Sequence, residues 1–486
     1  MSEQRTQRKE KDFRAVAVGL TETMNPTRTA SVLLTSLCLM LTRARANREL
    51  AHKDLVKRYT GYGVADAWAG VIWNRFPAEI YPLFLTPYIE AERIHEAQDR
   101  SRVRGLLHDD VESYSGYITV DKRYQSNMFF WFFPAKDPSN APVLLWLNGG
   151  PGRSSLVGAM LENGPLAYTL LNRLKRRQYA WTKHFSMIYV DNPVGAGYSF
   201  TRDDAGLSRS KDDIARNLYS TLRQFFKLFP QYSKNDFYAG GQSYAGKYVP
   251  ALGYYIHQQN HGQHPPEVRI NFKGIYLGAG FCSPAKMMPV YPDFLFSMGF
   301  VSDSQRRQMK QNNIKLIADG LSGKRLLTVA ATVSHDLLKA LREDWMDASG
   351  TRLALHVGYA AQLDSLKAMN ALQNEFLLDT ATENAFLMDN YKVLHYSGNL
   401  DVIVNVPMTE AFLSSVPWSG QAEYNSSSLT RWFLGDDLAG FVTQINNFTR
   451  VIVRNSGHMV PNDQPERALI MMERFVFDKP FEKSVH

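Results

Sequence analysis

The chain has 486 residues, of which 44% are hydrophobic and 21% are charged, a composition typical of a globular protein. Its formal net charge is +8, and residues 1–46 hold eight Lys and Arg against four Asp and Glu. The remaining excess is spread without a long basic block, so nucleic-acid binding is not expected. No apolar run reaches the roughly 18–20 residues that cross a bilayer, so stable membrane insertion is not expected either.

The N-terminal region contains a short apolar run, Ala30–Leu41, that has the form of a secretory signal peptide. Arg28 precedes the run, and a small-x-small step ends at Ala46, as in a signal that is cut after that residue. If translation begins at Met24, the signal has an ordinary length, and residues 1–46 are a polar extension plus signal peptide. We therefore expect a secreted or lysosomal protein. The alternative is a buried helix of an unprocessed extension.

The chain contains two cysteines, Cys38 and Cys282. If Cys38 leaves with the signal, Cys282 has no intramolecular partner for a disulfide. The sequons at Asn425 and Asn447 predict glycosylation, in agreement with a secretory route. No metal is expected, because HEAQD at His95–Asp99 lacks the second histidine of a zinc-binding helix, and no cofactor is expected, because GYGVAD at Gly61–Asp66 is not a dinucleotide-binding loop.

Beyond the unassigned segment 47–81, short apolar stretches alternate with helical patterns. Ile214, Leu218, Leu222, Phe225 and Phe229 recur at helical spacing before Pro230, and AGKYVPALGYYIHQQ also predicts a helix. The predicted strands are SGYITV, MFFWFF, PVLLWLN, FSMIYVDNP, DFYAG, INFKGIYLGAG, YKVLHYSG and RVIVRNSG. The charged segment Asp303–Asp344 is predicted to be a helical insertion. This alternation predicts an α/β fold with a mostly parallel sheet and helices on both faces.

Three predicted strands end next to residues that a serine hydrolase needs. Ser243 follows DFYAG in a strand–turn–helix pattern, Asp401 follows YKVLHYSG, and His458 follows RVIVRNSG. In a parallel sheet the carboxyl ends of the strands share one edge. Histidine can take the serine proton while aspartate fixes its tautomer, so the order Ser, Asp, His predicts an α/β-hydrolase triad.

An oxyanion hole is expected at the Gly-rich turn Asn148–Gly152, which follows PVLLWL. Glycines there let backbone N–H groups approach a developing negative charge. The N–H of Tyr244, directly after the nucleophile, is the expected second donor. The alternative interpretation of this turn is a plain Gly-Pro turn.

Several sequence blocks resemble those of the serine carboxypeptidase family, and the similarity runs from about Pro82 to Phe481. The blocks are WLNGGPGRSS, LENGP, DNPVGAGYSF, GGQSYAGKYVPA, GNLDVIVN and SGHMVPNDQP. The stretches PLFLTPYIEAERI, SGYITVDKRYQSNMFFWFFPA and FPQYSKNDFY are most similar to the vitellogenic-carboxypeptidase-like branch. The resemblance implies an α/β-hydrolase domain over residues 82–486, with a short helical cap inserted at about 285–380.

The resemblance also implies a reaction: removal of one C-terminal residue from peptides with a free C-terminus. It assigns the positions of this chain as follows: Ser243, Asp401 and His458 to the triad; Gly150 and Tyr244 to the oxyanion hole; Asn148, Glu162 and Gln242 to the group that holds the substrate's terminal carboxylate.

Some positions depart from the family pattern. Gln242 stands where the family usually has Glu, Arg153 where a cysteine is common, and Ala279 and Ser283 where Asn and Asp are frequent. A Gln amide donates hydrogen bonds at any pH, whereas a carboxyl donates only when protonated. We therefore expect binding of the peptide carboxylate to persist further toward neutral pH than in a site with two Glu; neutral drift at a tolerant position is the alternative.

Two other functions compete with a carboxypeptidase. One is an esterase or acyl-transfer enzyme that uses the same triad, and the carboxylate-binding residues argue against it. The other is a non-catalytic stabilising or carrier protein on the same fold, and the intact triad argues against that. The sequence leaves the oligomeric state open.

Overall fold

The computed structural model describes residues 82–106, 111–169, 173–263, 265–266, 268–321, 346–358 and 366–481. The predicted signal peptide and the unassigned segment, residues 1–81, lie outside this range. Within the described ranges, no helix combines the length and apolar character needed to cross a membrane.

A ten-stranded sheet forms the centre of the described part, in the order β1-β2-β6-β3-β7-β8-β9-β12-β11-β10. A separate two-stranded sheet pairs β4 with β5. The strands are β1 (Tyr114–Asp121), β2 (Ser126–Phe133), β3 (Val143–Leu147), β4 (Leu166–Tyr168), β5 (Leu174–Arg176), β6 (Ser186–Val190), β7 (Phe237–Gln242), β8 (Phe272–Gly278), β9 (Lys392–Gly398), β10 (Thr430–Leu434), β11 (Asp437–Ile445) and β12 (Phe448–Val453).

The central strands β6, β3, β7, β8, β9 and β12 run parallel to one another, while β1–β2 and β10–β11 pair antiparallel at the two edges. All eight predicted strands are present. The central strand β3 is buried along its whole length, as its continuous apolar run predicts. The prediction of a mostly parallel α/β fold is confirmed.

Helices cover both faces of the sheet, and β2 shows why. Phe130 and Phe132 on β2 pack into one apolar cluster, and the alternate residues Phe129, Trp131 and Phe133 pack into a second cluster on the opposite face. Alternation of side chains along a strand separates the two clusters. The helices are α1 (Thr86–Glu90), α2 (Ile94–Ser101), α3 (Lys211–Leu228), α4 (Ala245–His261), α5 (Pro284–Met287), α6 (Tyr291–Ser297), α7 (Asp303–Leu321), α8 (Ser349–Ala354), α9 (Leu366–Ala371), α10 (Ala381–Asn390), α11 (Val406–Leu413), α12 (Gln421–Ser426), α13 (Val460–Asp463) and α14 (Pro465–Val476).

The long helix α3 contributes to the first cluster, and α14 contributes to the second. Helix α3 begins at the cap Ser210, whose hydroxyl accepts a hydrogen bond from the N–H of Asp213, and it ends before Pro230, as predicted. Between β8 and β9, the described regular structure is helical, from α5 to α10. This interval contains the predicted cap, about 285–380.

Candidate active site

The turn between β7 and α4 holds Ser243 in a left-handed backbone conformation, with φ of 61°. The N–H of Ser243 donates to the carbonyl of Gly278 over 3.0 Å, and its own carbonyl accepts from the N–H of Phe281 over 2.8 Å. A non-glycine residue with positive φ is strained and persists only where the surroundings impose it. The two hydrogen bonds to the segment after β8 impose it here, and the serine stands at the carboxyl end of the sheet.

The predicted oxyanion turn lies directly against this serine. A Cβ added to Gly149 would lie 2.4 Å from the N of Tyr244 and 2.9 Å from the Cβ of Ser243. Only glycine permits that approach, so the residue type fixes how near the turn comes to the nucleophile. In the described residues, the N–H groups of Gly150 and Tyr244 have no backbone acceptor and can donate to an oxyanion.

Asp401 and His458 meet at the end of two neighbouring strands, although 57 positions separate them in the chain. The Nδ1 atom of His458 lies 2.8 Å from Oδ2 of Asp401. The other oxygen of Asp401 accepts the N–H groups of Ile403 (2.7 Å) and Val404 (3.2 Å), and the carboxylate is buried. The carboxylate is therefore held in one orientation, which also orients the imidazole.

The loops that carry these two residues are bonded to each other. The N–H of Asn399 donates to the carbonyl of Val453, and the N–H of Leu400 donates to that of Ser456, each over 2.9 Å. These bonds continue the parallel pairing of β9 with β12 beyond the strand ends. In the described part of the chain, no hydrogen bond joins the Ser243 hydroxyl to His458, a contact that often closes only with substrate bound.

The charge environment of His458 favours its protonated form. Burial lowers the pKa of the imidazole, but the charge and hydrogen bond of Asp401 outweigh burial, and Glu162 adds to the rise. The charge of Arg153 acts in the opposite direction. The net result is a raised pKa, which suits a residue that takes a proton from serine and later returns it to a leaving group.

Asn148, Glu162 and Gln242 form one buried cluster. Oε1 of Glu162 accepts hydrogen bonds from Nε2 of Gln242 (2.7 Å) and from Nδ2 of Asn148 (3.2 Å). Oδ1 of Asn148 accepts from Nε1 of Trp146 (2.8 Å) and from the N–H of Gly158 (3.0 Å), so its Nδ2 must face Glu162. Within the described residues Oε2 of Glu162 is buried and has no hydrogen-bond partner. The structure thus joins the three residues that the sequence assigned to carboxylate binding.

Burial raises the pKa of Glu162 to about 7, although the hydrogen bond from Asn148 and the charge of His458 lower it. A carboxyl with that pKa carries a proton over much of the acidic range. The protonated group can donate from Oε2 to a carboxylate, whereas the ionised group would repel one.

Asp191, directly after β6, supports this site and was not singled out from the sequence. Its Oδ1 accepts from the hydroxyl of Ser154 (2.6 Å) and the N–H of Ser155 (2.8 Å), and its Oδ2 accepts from the N–H of Tyr198 (2.7 Å). Ser155 in turn accepts the N–H of Asn148 over 3.1 Å. Asp191 therefore holds the turn that carries the predicted oxyanion donor Gly150 and the predicted carboxylate-binding residue Asn148. Its position after a strand, in DNP, was the available signal.

The two predicted glycosylation positions lie on the surface. Asn425 is exposed on α12, where its side chain donates to the carbonyl of Ser414 over 3.2 Å. Asn447 is exposed in the tight turn between β11 and β12. Cys282 is buried and forms no disulfide with any residue that the structure describes.

Comparison with known proteins gives the same family along most of the chain. The family model described as serine carboxypeptidase matches residues 106–324 and 330–478. The probable serine carboxypeptidase CPVL of Homo sapiens is 39% identical over 437 residues, which cover 83% of this chain and 91% of that protein. The venom serine carboxypeptidase of Apis mellifera is 38% identical over 433 residues, covering 82% of this chain and 92% of that protein.

Two further relatives extend the comparison. The vitellogenic carboxypeptidase of Aedes aegypti is 36% identical over 470 residues, which cover 87% of this chain and 98% of that protein. Among solved structures, a prohormone-processing carboxypeptidase from Saccharomyces cerevisiae aligns with a TM-score of 0.66 over 78% of this chain and 96% of that chain. At 19% identity, that structure is similar in fold.

Proposed function

The chain belongs to the serine carboxypeptidase family, and we propose that Ser243, His458 and Asp401 are the triad with which it hydrolyses peptides. The hydroxyl of Ser243 attacks the carbonyl carbon of the last peptide bond while His458 takes its proton. Gly150 and Tyr244 donate their N–H groups to the oxyanion of the tetrahedral intermediate.

The remaining steps use the same groups. His458 returns the proton to the amine of the C-terminal residue, the C–N bond breaks, and an acyl ester remains on Ser243. A water molecule then attacks the ester while His458 takes its proton, the bond between the acyl carbon and Oγ of Ser243 breaks, and His458 returns the proton to Oγ as the shortened peptide leaves with a new carboxylate. Asp401 stabilises the imidazolium in both halves.

The observation that carries the exopeptidase assignment is the buried Asn148–Glu162–Gln242 cluster. It offers two amides and, below a pH of about 7, a protonated carboxyl, and all three side chains are buried. Gln242 is the residue before Ser243, so the cluster lies beside the nucleophile. A buried group of hydrogen-bond donors beside the nucleophile suits the terminal carboxylate of a peptide. It disfavours internal peptide bonds, which carry no charge.

A single experiment separates this function from its two alternatives. The purified protein is offered a blocked dipeptide and the matching ester, and it is labelled with a fluorophosphonate probe. Labelling at Ser243 together with release of the free amino acid supports a carboxypeptidase. Ester turnover without peptide cleavage supports an esterase, absence of labelling supports a non-catalytic protein, and Ser243→Ala is the control that must not label.

The same proposal includes a route through the secretory pathway, to the cell exterior or the lysosome, with glycans on Asn425 and Asn447. Both side chains are exposed, and the N-terminal sequence has the form of a signal. Asn425→Gln and Asn447→Gln should each reduce the gel-mobility shift that endoglycosidase treatment causes. A protein whose mobility never changes on that treatment would contradict the glycan assignment.

A further inference from the structure

Arg153 is a cation on the wall of the candidate active site, at a position where the family often has cysteine. Its backbone N–H donates to the carbonyl of Gly149 over 3.1 Å. A Cβ added to Gly150, the expected oxyanion donor, would lie 3.4 Å from the Cβ of Arg153. The next residue, Ser154, is held by its 2.6 Å hydrogen bond to Asp191. The backbone is therefore fixed, and the side chain starts beside the oxyanion hole.

The guanidinium has no partner of its own in the described part of the chain. No side-chain hydrogen bond or ion pair of Arg153 occurs among those residues, and the side chain is exposed. Nearby protein atoms nevertheless lower its pKa, as they do for a cation inside a cleft rather than on an open surface. Its charge also lowers the pKa of His458, so the guanidinium lies close enough to the imidazole for the two charges to interact.

The position relative to His458 and Asn148 selects one side of the substrate. His458 returns its proton to the amine of the C-terminal residue, and Asn148, five positions before Arg153 on the same turn, belongs to the cluster for that residue's carboxylate. His458 and Asn148 thus act on the amine and the carboxylate of the C-terminal residue. The remaining part of that residue, its side chain, is then the part of the substrate that we expect nearest to the guanidinium.

We propose that Arg153 binds an acidic side chain on the C-terminal residue of the substrate, so that the enzyme prefers peptides that end in Glu or Asp. This inference rests on the carboxypeptidase function proposed above. A guanidinium matches a carboxylate through two parallel hydrogen bonds, and a cation without an internal partner breaks no existing ion pair when it forms them. A C-terminal Lys or Arg is disfavoured by the same charge.

The test compares blocked dipeptides that differ only in the C-terminal residue: Glu, Gln, Leu and Lys. Glu and Gln have nearly the same shape, so the ratio of their kcat/KM values isolates the effect of the charge. We expect a ratio of about ten in favour of Glu for the unaltered enzyme, the lower end for a charge-assisted hydrogen bond in a partly exposed site. Arg153→Gln should bring the ratio close to one.

Charge reversal gives an independent check. Arg153→Glu should make Lys a better C-terminal residue than Glu. Arg123→Gln, which removes an exposed arginine in the turn between β1 and β2, is the matched control and should keep the ratio of the unaltered enzyme.

The outcomes are distinguishable from failure of the proposed function. An enzyme that cleaves the Leu and Gln dipeptides but shows no Glu preference, or keeps that preference in Arg153→Gln, overturns the inference about Arg153 alone. A preference that follows an acidic residue one position before the C-terminus overturns it as well. A protein that cleaves none of the dipeptides speaks against the carboxypeptidase function itself.

Discussion

Gln242 donates its side-chain amide to Glu162 over 2.7 Å, across 80 positions of sequence, and the two side chains are buried together. Two carboxyl groups at this separation would share a proton, because both cannot ionise cheaply side by side. The amide removes that conflict and leaves one titrating group, Glu162, with a pKa of about 7. The part of the pH dependence that this cluster contributes to substrate binding should therefore follow a single ionisation.

The first prediction concerns KM as a function of pH. In the unaltered enzyme KM should rise as pH passes about 7, where Glu162 loses the proton that it donates to the substrate carboxylate. In Gln242→Glu the binding form needs one more proton, so KM should begin to rise at lower pH. KM for a blocked dipeptide, measured from pH 4 to 8 in both proteins, provides the check, and identical profiles would refute the role of Gln242.

The second prediction concerns stability. Between its ordinary pKa of 4.5 and about 7, Glu162 stays protonated in the folded protein but ionises in the unfolded chain, so the free energy of unfolding decreases as pH rises through that range. Glu162→Gln abolishes this loss, worth at most about 3 kcal/mol. The Tm of the variant minus the Tm of the unaltered protein should therefore increase from pH 5 to pH 8. Glu423→Gln, a substitution of an exposed side chain, is the control and should show no such trend. A Tm difference for Glu162→Gln that does not change with pH would contradict the raised pKa.

The third prediction concerns the triad. Asp401→Asn should lower kcat by about 10⁴-fold, because the imidazole loses its orientation and the partner of its charged form. Since Asp401 raises the pKa of His458, the imidazole of His458 in the variant should stay neutral down to a lower pH. The acid limb of kcat/KM against pH should therefore move down. Asp137→Asn, at an exposed loop position, is the control, and an acid limb that moves up would exclude the proposed pairing.

The fourth prediction concerns the oxyanion turn. Gly149→Ala places a methyl group 2.4 Å from the N of Tyr244 and 2.8 Å from the carbonyl of Gln242, so the backbone on one side must move. Loss of one oxyanion donor costs about 10²–10³ in kcat. We expect a decrease of that size in kcat, with a smaller change in KM.

A control separates this effect from general destabilisation. Gly435 has φ of 58° and open space around it, far along the chain in the turn between β10 and β11. Gly435→Ala strains the backbone there and should lower Tm without lowering kcat. A decrease in kcat of similar size in both variants would mean that the Gly149 effect is one of folding.

The sequence predicted the central sheet because its strands are buried on both faces. A strand such as β3 reads as an unbroken apolar run, and its end can be located to within a residue or two. Since the carboxyl ends of parallel strands share one edge, three residues at three such ends could be placed together without knowledge of any contact. Asp401 and His458 meet in this way.

The edge of the sheet formed by β10 and β11 was harder to predict. Strand β10 is mostly exposed or half-buried, and β11 contains Gly440, where a Cβ would lie 2.2 Å from the carbonyl of Ile452. Neither strand offers a continuous apolar run, and a glycine in mid-strand weakens the pattern. Asp191 was missed for another reason. A single acid after a strand is usually a turn former, and its three hydrogen bonds depend on residues that only the fold brings near.

The backbone bonds between the loops after β9 and β12 have a dynamic consequence. Asn399 and Leu400 are tied to Val453 and Ser456, so the segments that bear Asp401 and His458 form one mechanical unit. Thermal motion should displace acid and base together and preserve their mutual distance. Within the described residues no hydrogen bond joins the hydroxyl of Ser243 to this unit, so the distance between that hydroxyl and the imidazole of His458 is the one that a bound substrate can adjust.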